Sequence, residues 1–334
     1  MKESVKPCGG LAENGCGRFS DIDVATLKYL KWLGCSHIYL TGILSHSTRE
    51  NIKGCTASHP SIVKGMAGSP YAIKDHYDLA PYLADNPASR MQEFEALVGR
   101  IHDQGLKVII DFVPNHVARD YGIDSYSGPN GMKLGENDDV SVHWRAENDF
   151  YYYPGQYLSM PQSPDAETPY IEYPAKASGN NFSASIGVND WYDTIRINYC
   201  DFYTETWDKM FSVLRFWASK GVDGFRCDMA ELVPKEFMKW AISRLKNKYP
   251  DIIFIGEVYQ KSLYQTYIRE VGFDFLYDKS GTYDINRNRL TASINAETDI
   301  PTFKSAQSLT YNWQNLSTLQ PYMLNFIENH AEQR

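Results

Sequence analysis

The chain has 334 residues, with 33 basic against 41 acidic side chains and a net charge of −8. That acidic balance excludes a nucleic-acid binder whose affinity rests on neutralising phosphates. An apolar fraction of 43% with 22% charged residues excludes a largely disordered chain, and no apolar run approaches the ~20 residues of a membrane helix. Neither nucleic acid nor membrane is therefore an expected partner. The first 20 residues carry no apolar leader core, so the expectation is a cytoplasmic protein. Six cysteines show no C-x-x-C pair, which points to neither a disulfide framework nor a zinc site.

Taken in chain order, the elements alternate helix with strand. Ser20 or Asp21 is positioned to cap a helix with Ile22, Leu27, Leu30 and Leu33 on one side, and Gly34 stops it. The run from His37 to Ile43 reads as a buried strand. Met91, Phe94, Leu97, Val98 and Ile101 recur at helical spacing after Ser89, Gly105 ends them, and Lys107 to Val113 reads as the next strand. Residues 117–200 break the rhythm. They are rich in Gly, Pro, Asn, Asp and Tyr, with short extended segments such as Asp149 to Tyr153, and read as an inserted subdomain.

The rhythm then resumes. Trp207, Phe211, Leu214 and Trp217 stripe a helix before the strand Gly224 to Asp228. Phe237, Trp240 and Leu245 stripe another before Ile252 to Glu257, and Phe273 to Tyr277 and Tyr322 to Ile327 complete six strands. Strands apolar on both faces, alternating with amphipathic helices, predict an α/β fold with a parallel sheet. A barrel and an open doubly wound sheet both satisfy that pattern. The domain plan is 1–116 and 201–334 for the α/β part, with 117–200 inserted between them.

Polar residues gather at the strand ends: Asp111, Asn115 and His116; Arg226 and Asp228; Glu257; then Glu328, Asn329 and His330. Active sites of α/β folds lie at the C-terminal strand ends, so this distribution points to acid/base chemistry. Asp228 and Glu257 are 29 residues apart, one strand–helix repeat, which puts them on neighbouring strands. Two such carboxylates suit glycosidic bond cleavage, one as nucleophile and one as proton donor. Arg226 shares a strand face with Asp228 and would keep it ionised, while the apolar run before Glu257 would help it hold a proton. The competing reading of Arg226–Asp228 is a buried structural ion pair. Gly135 to Asp139 offers oxygen ligands of the kind calcium takes, against the plainer reading of a solvated acidic turn. Phosphate-binding, dinucleotide and serine-hydrolase motifs do not occur.

These segments together resemble the α-amylase family, glycoside hydrolase family 13. Asp111 to His116, Gly224 to Asp228, Gly256-Glu257 and Phe326 to His330 resemble its four conserved segments in order, and Tyr71 to Tyr77 resembles the segment preceding them. The resemblance implies a (β/α)₈ TIM-type barrel, with 117–200 as the subdomain after the third family strand. It implies retaining action on α-glucosidic bonds of starch or maltodextrins, with Asp228 as nucleophile, Glu257 as acid/base and Arg226 orienting the nucleophile. His116 and His330 would hold sugar hydroxyls, Tyr71 would stack on the sugar, and Asp111 and Asn115 would support the site.

Three departures qualify it. Ala331 stands where the family has a third catalytic Asp, a loss worth several kcal/mol of barrier, a factor on the order of thousands. Six strands are counted where the barrel has eight, implying a barrel open at both ends. Ala230 and Glu231 replace the Lys-His of calcium-dependent amylases, so no cofactor is expected. A transglycosylase of the same family and a catalytically silent glucan-binding homologue are the alternative readings.

Overall fold

The computed structural model describes Lys6 and residues 9–123, 126–284 and 316–326. The chain divides into two compact units, Met1–Phe225 and Arg226–Arg334. In the first, helix α1 (Val24–Trp32) leads into β1 (His37–Leu40), which pairs in parallel with β4 (Lys107–Phe112), Ile38 beside Val108 and Leu40 beside Ile110. β2 (Leu44–His46) and β3 (Ile73–Leu79) form an antiparallel pair between them in sequence. Helix α2 (Arg90–Asp103) precedes β4, and α3 (Glu205–Ser219) precedes β9 (Gly224–Cys227). Asp223 joins β9 to β4: its N–H donates to the Val108 carbonyl at 2.9 Å, and its carboxylate accepts the Val108 N–H at 2.8 Å.

The division falls inside β9. In the second unit β9 is followed by α4 (Lys235–Lys248), β10 (Ile253–Gly256), β11 (Phe275–Tyr277) and β12 (Met323–Leu324). β10 and β11 are parallel, as are β11 and β12. The strand order is β1-β4-β9-β10-β11-β12. All six strands read from the sequence are present, within a residue or two of the expected starts.

Both faces of β4 and β9 are buried beyond Lys107, as the apolar runs required. Phe94 of α2 meets Trp217 of α3 edge-on at 5.5 Å, and both are fully buried. The Trp217 indole N–H donates to the His76 carbonyl at 2.8 Å, tying α3 to β3. In the second unit Phe237 and Leu245 are buried on α4. Lys246 of the same helix pairs with Asp274 at 2.7 Å, whose carboxylate also accepts the Phe254 N–H.

Residues 117–200 lie within the first unit. β5 (His116–Ala118) pairs with β8 (Thr194–Arg196) and β6 (Tyr152–Tyr153) with β7 (Ala175–Lys176), both antiparallel. A small apolar cluster of Leu158, Ala175 and Ile186 sits among them.

Three local expectations are corrected. The cap of α1 is Asp23, whose carboxylate accepts the Thr26 N–H at 2.7 Å, in place of Ser20 or Asp21. Ile22 lies before the helix, and Leu33 is 54% exposed, so Leu27 alone on α1 is fully buried. β1 is half-buried over His37 to Tyr39, less than its apolar sequence suggested.

Candidate active site

In the second unit, β9 ends on Arg226 and Cys227 with Asp228 next, and β10 ends at Gly256 with Glu257 next. The Glu257 N–H donates to the Cys227 carbonyl at 3.1 Å, which fixes the two strand ends side by side. A Cβ at Gly256 would come within 2.7 Å of Leu276 Cδ2 and 3.1 Å of the Phe273 ring, so a larger residue there would have to push those side chains aside.

Arg226, 1% exposed, joins the two carboxylates. One terminal nitrogen lies 2.6 Å from Asp228 Oδ1 and the other 2.8 Å from Glu257 Oε2. The Tyr277 ring lies under the guanidinium at 5.7 Å. Two buried carboxylates sharing one delocalised cation form an oriented pair of acid/base groups, with Arg226 supplying the fork geometry that a lysine lacks.

Glu257 is buried, as its preceding Ile-rich run suggested, and several donors surround its carboxyl group. Its Oε2 also accepts the Met229 N–H at 2.8 Å, and its Oε1 accepts the Tyr259 hydroxyl. Met229 presents that N–H from a left-handed conformation, φ 45°. Glu231 accepts the N–H groups of Tyr259 at 3.0 Å and Gln260 at 3.1 Å, clamping the segment after Glu257. Met229 and Tyr259 were not singled out in the sequence, while Glu231 was noted only as a departure from the family and Tyr277 only as a strand end. The i, i+2 spacing of Glu257 and Tyr259 was the available signal, since such side chains leave an extended chain on one side.

In the first unit the expected sugar-contacting residues form a second group. Asp111 accepts the Tyr39 hydroxyl at 2.5 Å and the Gly42 N–H at 2.8 Å. Gly42 has φ +65°, and a Cβ there would lie 2.6 Å from Pro70. Half-buried Tyr71 follows Pro70, with its hydroxyl 3.3 Å from Thr41 Oγ1. Asn115 Nδ2 lies 3.1 Å from His116 Nδ1 and donates to the Gly179 carbonyl at 2.9 Å. The His116 ring packs on Trp191 at 5.2 Å. Burial, then the Arg196 and Lys64 charges, push the His116 imidazole down to about 3. His330, Glu328 and Ala331 lie outside the described residues.

The acidic turn at 135–139 is built into the subdomain by donors. Asp138 accepts the N–H groups of Asp149 and Phe150 and the Tyr152 hydroxyl, and Asp139 accepts from Ser141. Among the described residues no group of three or more His, Cys, Asp or Glu could hold a metal ion. Cys16, Cys35 and Cys200 are free thiols.

Comparison with known proteins places these features in a family. An α-1,4-glucan:maltose-1-phosphate maltosyltransferase of Cereibacter sphaeroides is 26% identical over 293 residues, 86% of this chain and 40% of the relative. A Homo sapiens amino acid transporter heavy chain is 26% identical over 262 residues, 73% of this chain and 31% of the relative. The chain thus spans less than half the length of these relatives. An α-amylase structure from Lactobacillus plantarum shares the fold with a TM-score of 0.58 at 22% identity, over 95% of this chain and 60% of that one. The family model for the alpha amylase catalytic domain matches residues 13–334, nearly the whole chain, and the protein belongs to that family, glycoside hydrolase family 13.

Proposed function

We propose that the chain carries the catalytic centre of a retaining glycosidase acting on α-glucosidic bonds of starch or maltodextrins. The observation that supports it most is the double engagement of Arg226, which holds Asp228 and Glu257 side by side at adjacent strand ends. In this reading the Asp228 carboxylate forms a bond to the anomeric carbon as the glycosidic C–O bond breaks, and Glu257 gives its proton to the departing oxygen. Glu257, now a carboxylate, takes a proton from an incoming hydroxyl, whose oxygen displaces Asp228 and releases the sugar with its original configuration. Arg226 orients Asp228 through the 2.6 Å contact. Tyr71, Asp111, Asn115 and His116 are proposed to contact or support the sugar, and His330 to hold one of its hydroxyls.

Water or a second sugar completes the same second step, so hydrolysis and transfer share this centre. The test is proton NMR of the first products from α-maltosyl fluoride, with and without added maltose. Retention of the α-anomer is the expected result, and longer oligosaccharides in the presence of maltose would identify transfer. A β-configured first product would overturn the proposal.

A second reading is a catalytically silent glucan-binding homologue. Ala331 favours it, because a family carboxylate is missing there, and one relative is named as a transporter heavy chain. Calorimetric binding of maltooligosaccharides with no turnover of the fluoride would select it.

A further inference from the structure

The contacts around His116 settle which of its nitrogens carries the proton, and they reach into the inserted subdomain. Asn115 Nδ2 faces two atoms: the Gly179 carbonyl oxygen at 2.9 Å and His116 Nδ1 at 3.1 Å. A carbonyl oxygen only accepts, so the amide of Asn115 must turn its NH₂ toward both. That leaves His116 Nδ1 as an acceptor without a proton. The one proton of a neutral ring then sits on the other nitrogen, Nε2.

We infer that Gly179 and Asn115 are positioning residues that hold His116 as the neutral Nε2–H tautomer, a fixed hydrogen-bond donor. The inference deepens the proposed function, because His116 belongs to the proposed sugar-contacting group, and it rests on that reading only for its consequence. The geometry of Gly179 explains why a glycine supplies the anchor. A Cβ there would lie 2.7 Å from the Trp191 ring, 2.8 Å from Thr194 Oγ1 and 3.2 Å from the His116 Cβ. The same carbonyl accepts from Arg196 at 2.9 Å, and the Gly179 N–H donates to Thr194 Oγ1 at 3.1 Å, so the anchor is held from both sides.

The charged and titratable groups facing the ring, Arg196, Lys64 and His76, all oppose a second proton, and burial acts in the same direction. His116 therefore keeps one charge state and one tautomer over the whole range in which a free imidazole would titrate. As a sugar contact it is a pH-independent donor, with no share in proton transfer.

The test is long-range ¹H–¹⁵N correlation NMR of the full chain labelled with ¹⁵N-histidine, with the His116 signal assigned by its loss in His116→Gln. The expected result is the Nε2–H pattern, unchanged between about pH 8 and 5. An Nδ1–H pattern, or a titration midpoint inside that window, would overturn the inference. Asn115→Asp replaces the donor with an acceptor and should bring a second proton to the ring, with a midpoint inside the window. An unchanged spectrum in Asn115→Asp would show that Asn115 does not set the tautomer. These readouts need no turnover, so a silent protein with a fixed His116 and an active one with a titrating His116 are told apart.

Discussion

Substituting Arg226 by Met keeps much of the side-chain volume and removes the cation that two buried carboxylates share. Asp228 and Glu257 have side chains only 8% and 5% exposed and lie 2.6 and 2.8 Å from the guanidinium. Breaking a buried pair by deleting one partner costs about 3–5 kcal/mol, because the remaining charge stays buried. Here one deletion leaves two buried carboxyl groups without their shared donor and also removes the contact with the Tyr277 ring, so a loss near the upper end, about 4–5 kcal/mol, is expected. Urea unfolding at neutral pH reads the loss directly, and a double-mutant cycle isolates its cause. In an Asp228→Asn, Glu257→Gln background, Arg226 is itself the uncompensated buried charge, so Arg226→Met should there cost about 1 kcal/mol or less, or stabilise. Equal costs in the two backgrounds would refute the view that Arg226 is held by these carboxylates.

Gly42→Ala should destabilise by about 1–3 kcal/mol in urea unfolding, since φ is +65° and the new methyl would meet Pro70 at 2.6 Å. A neutral effect would remove the argument that this turn presents its N–H to Asp111. Asp23→Ala should lower the urea midpoint through loss of the α1 cap, and an unchanged midpoint would show that the cap does not matter. Acid should destabilise the protein through its buried histidines: His76 is pushed down to about 4 and His116 to about 3, chiefly by burial. Because these folded-state values lie below that of the unfolded chain, the unfolded chain binds protons first as pH falls below about 6.5. Each histidine then costs up to about 1.4 kcal/mol per pH unit until its own folded value is reached. His116→Gln should flatten the slope of stability between about pH 6.5 and 4, and an unchanged slope would contradict the buried neutral ring.

The six strands were legible because their signal is local. β4 and β10 are short, mostly apolar runs, and glycines such as Gly105 and Gly221, with φ of +66° and +89°, end the helices before β4 and β9. β3 was not legible. Its sequence, Ile73 to Leu79, contains Lys, Asp and His, yet most of it is buried because tertiary partners satisfy those groups: Lys74 pairs with Asp120 at 3.3 Å, and Asp75 accepts the Tyr77 and Ser127 N–H groups. Hydropathy cannot register a polar residue whose partner lies dozens of positions away.

The same limit applies to the site. Asp228, Glu257 and Arg226 could be named from strand ends and the family's segments, because side chains carry that pattern. The Met229 N–H on Glu257 and the Gly179 carbonyl on Asn115 are backbone groups, invisible to any reading of residue types. The burial of Glu257 was legible from its apolar run, but the donors that meet it from another segment, Arg226 and the Met229 N–H, were not.

The claim that Asp228 is the nucleophile and Glu257 its acid/base partner is tested most directly by covalent trapping. Prolonged incubation with 5-fluoro-α-glucosyl fluoride, followed by peptide mass spectrometry, asks for one chemical bond and tolerates slow turnover. The activated leaving group needs no proton, so an adduct on the peptide containing Asp228 is predicted in the unmodified chain and in Glu257→Gln, and its absence in Asp228→Asn. A chain that binds maltooligosaccharide yet forms no adduct, or forms one on any residue other than Asp228, would contradict the account.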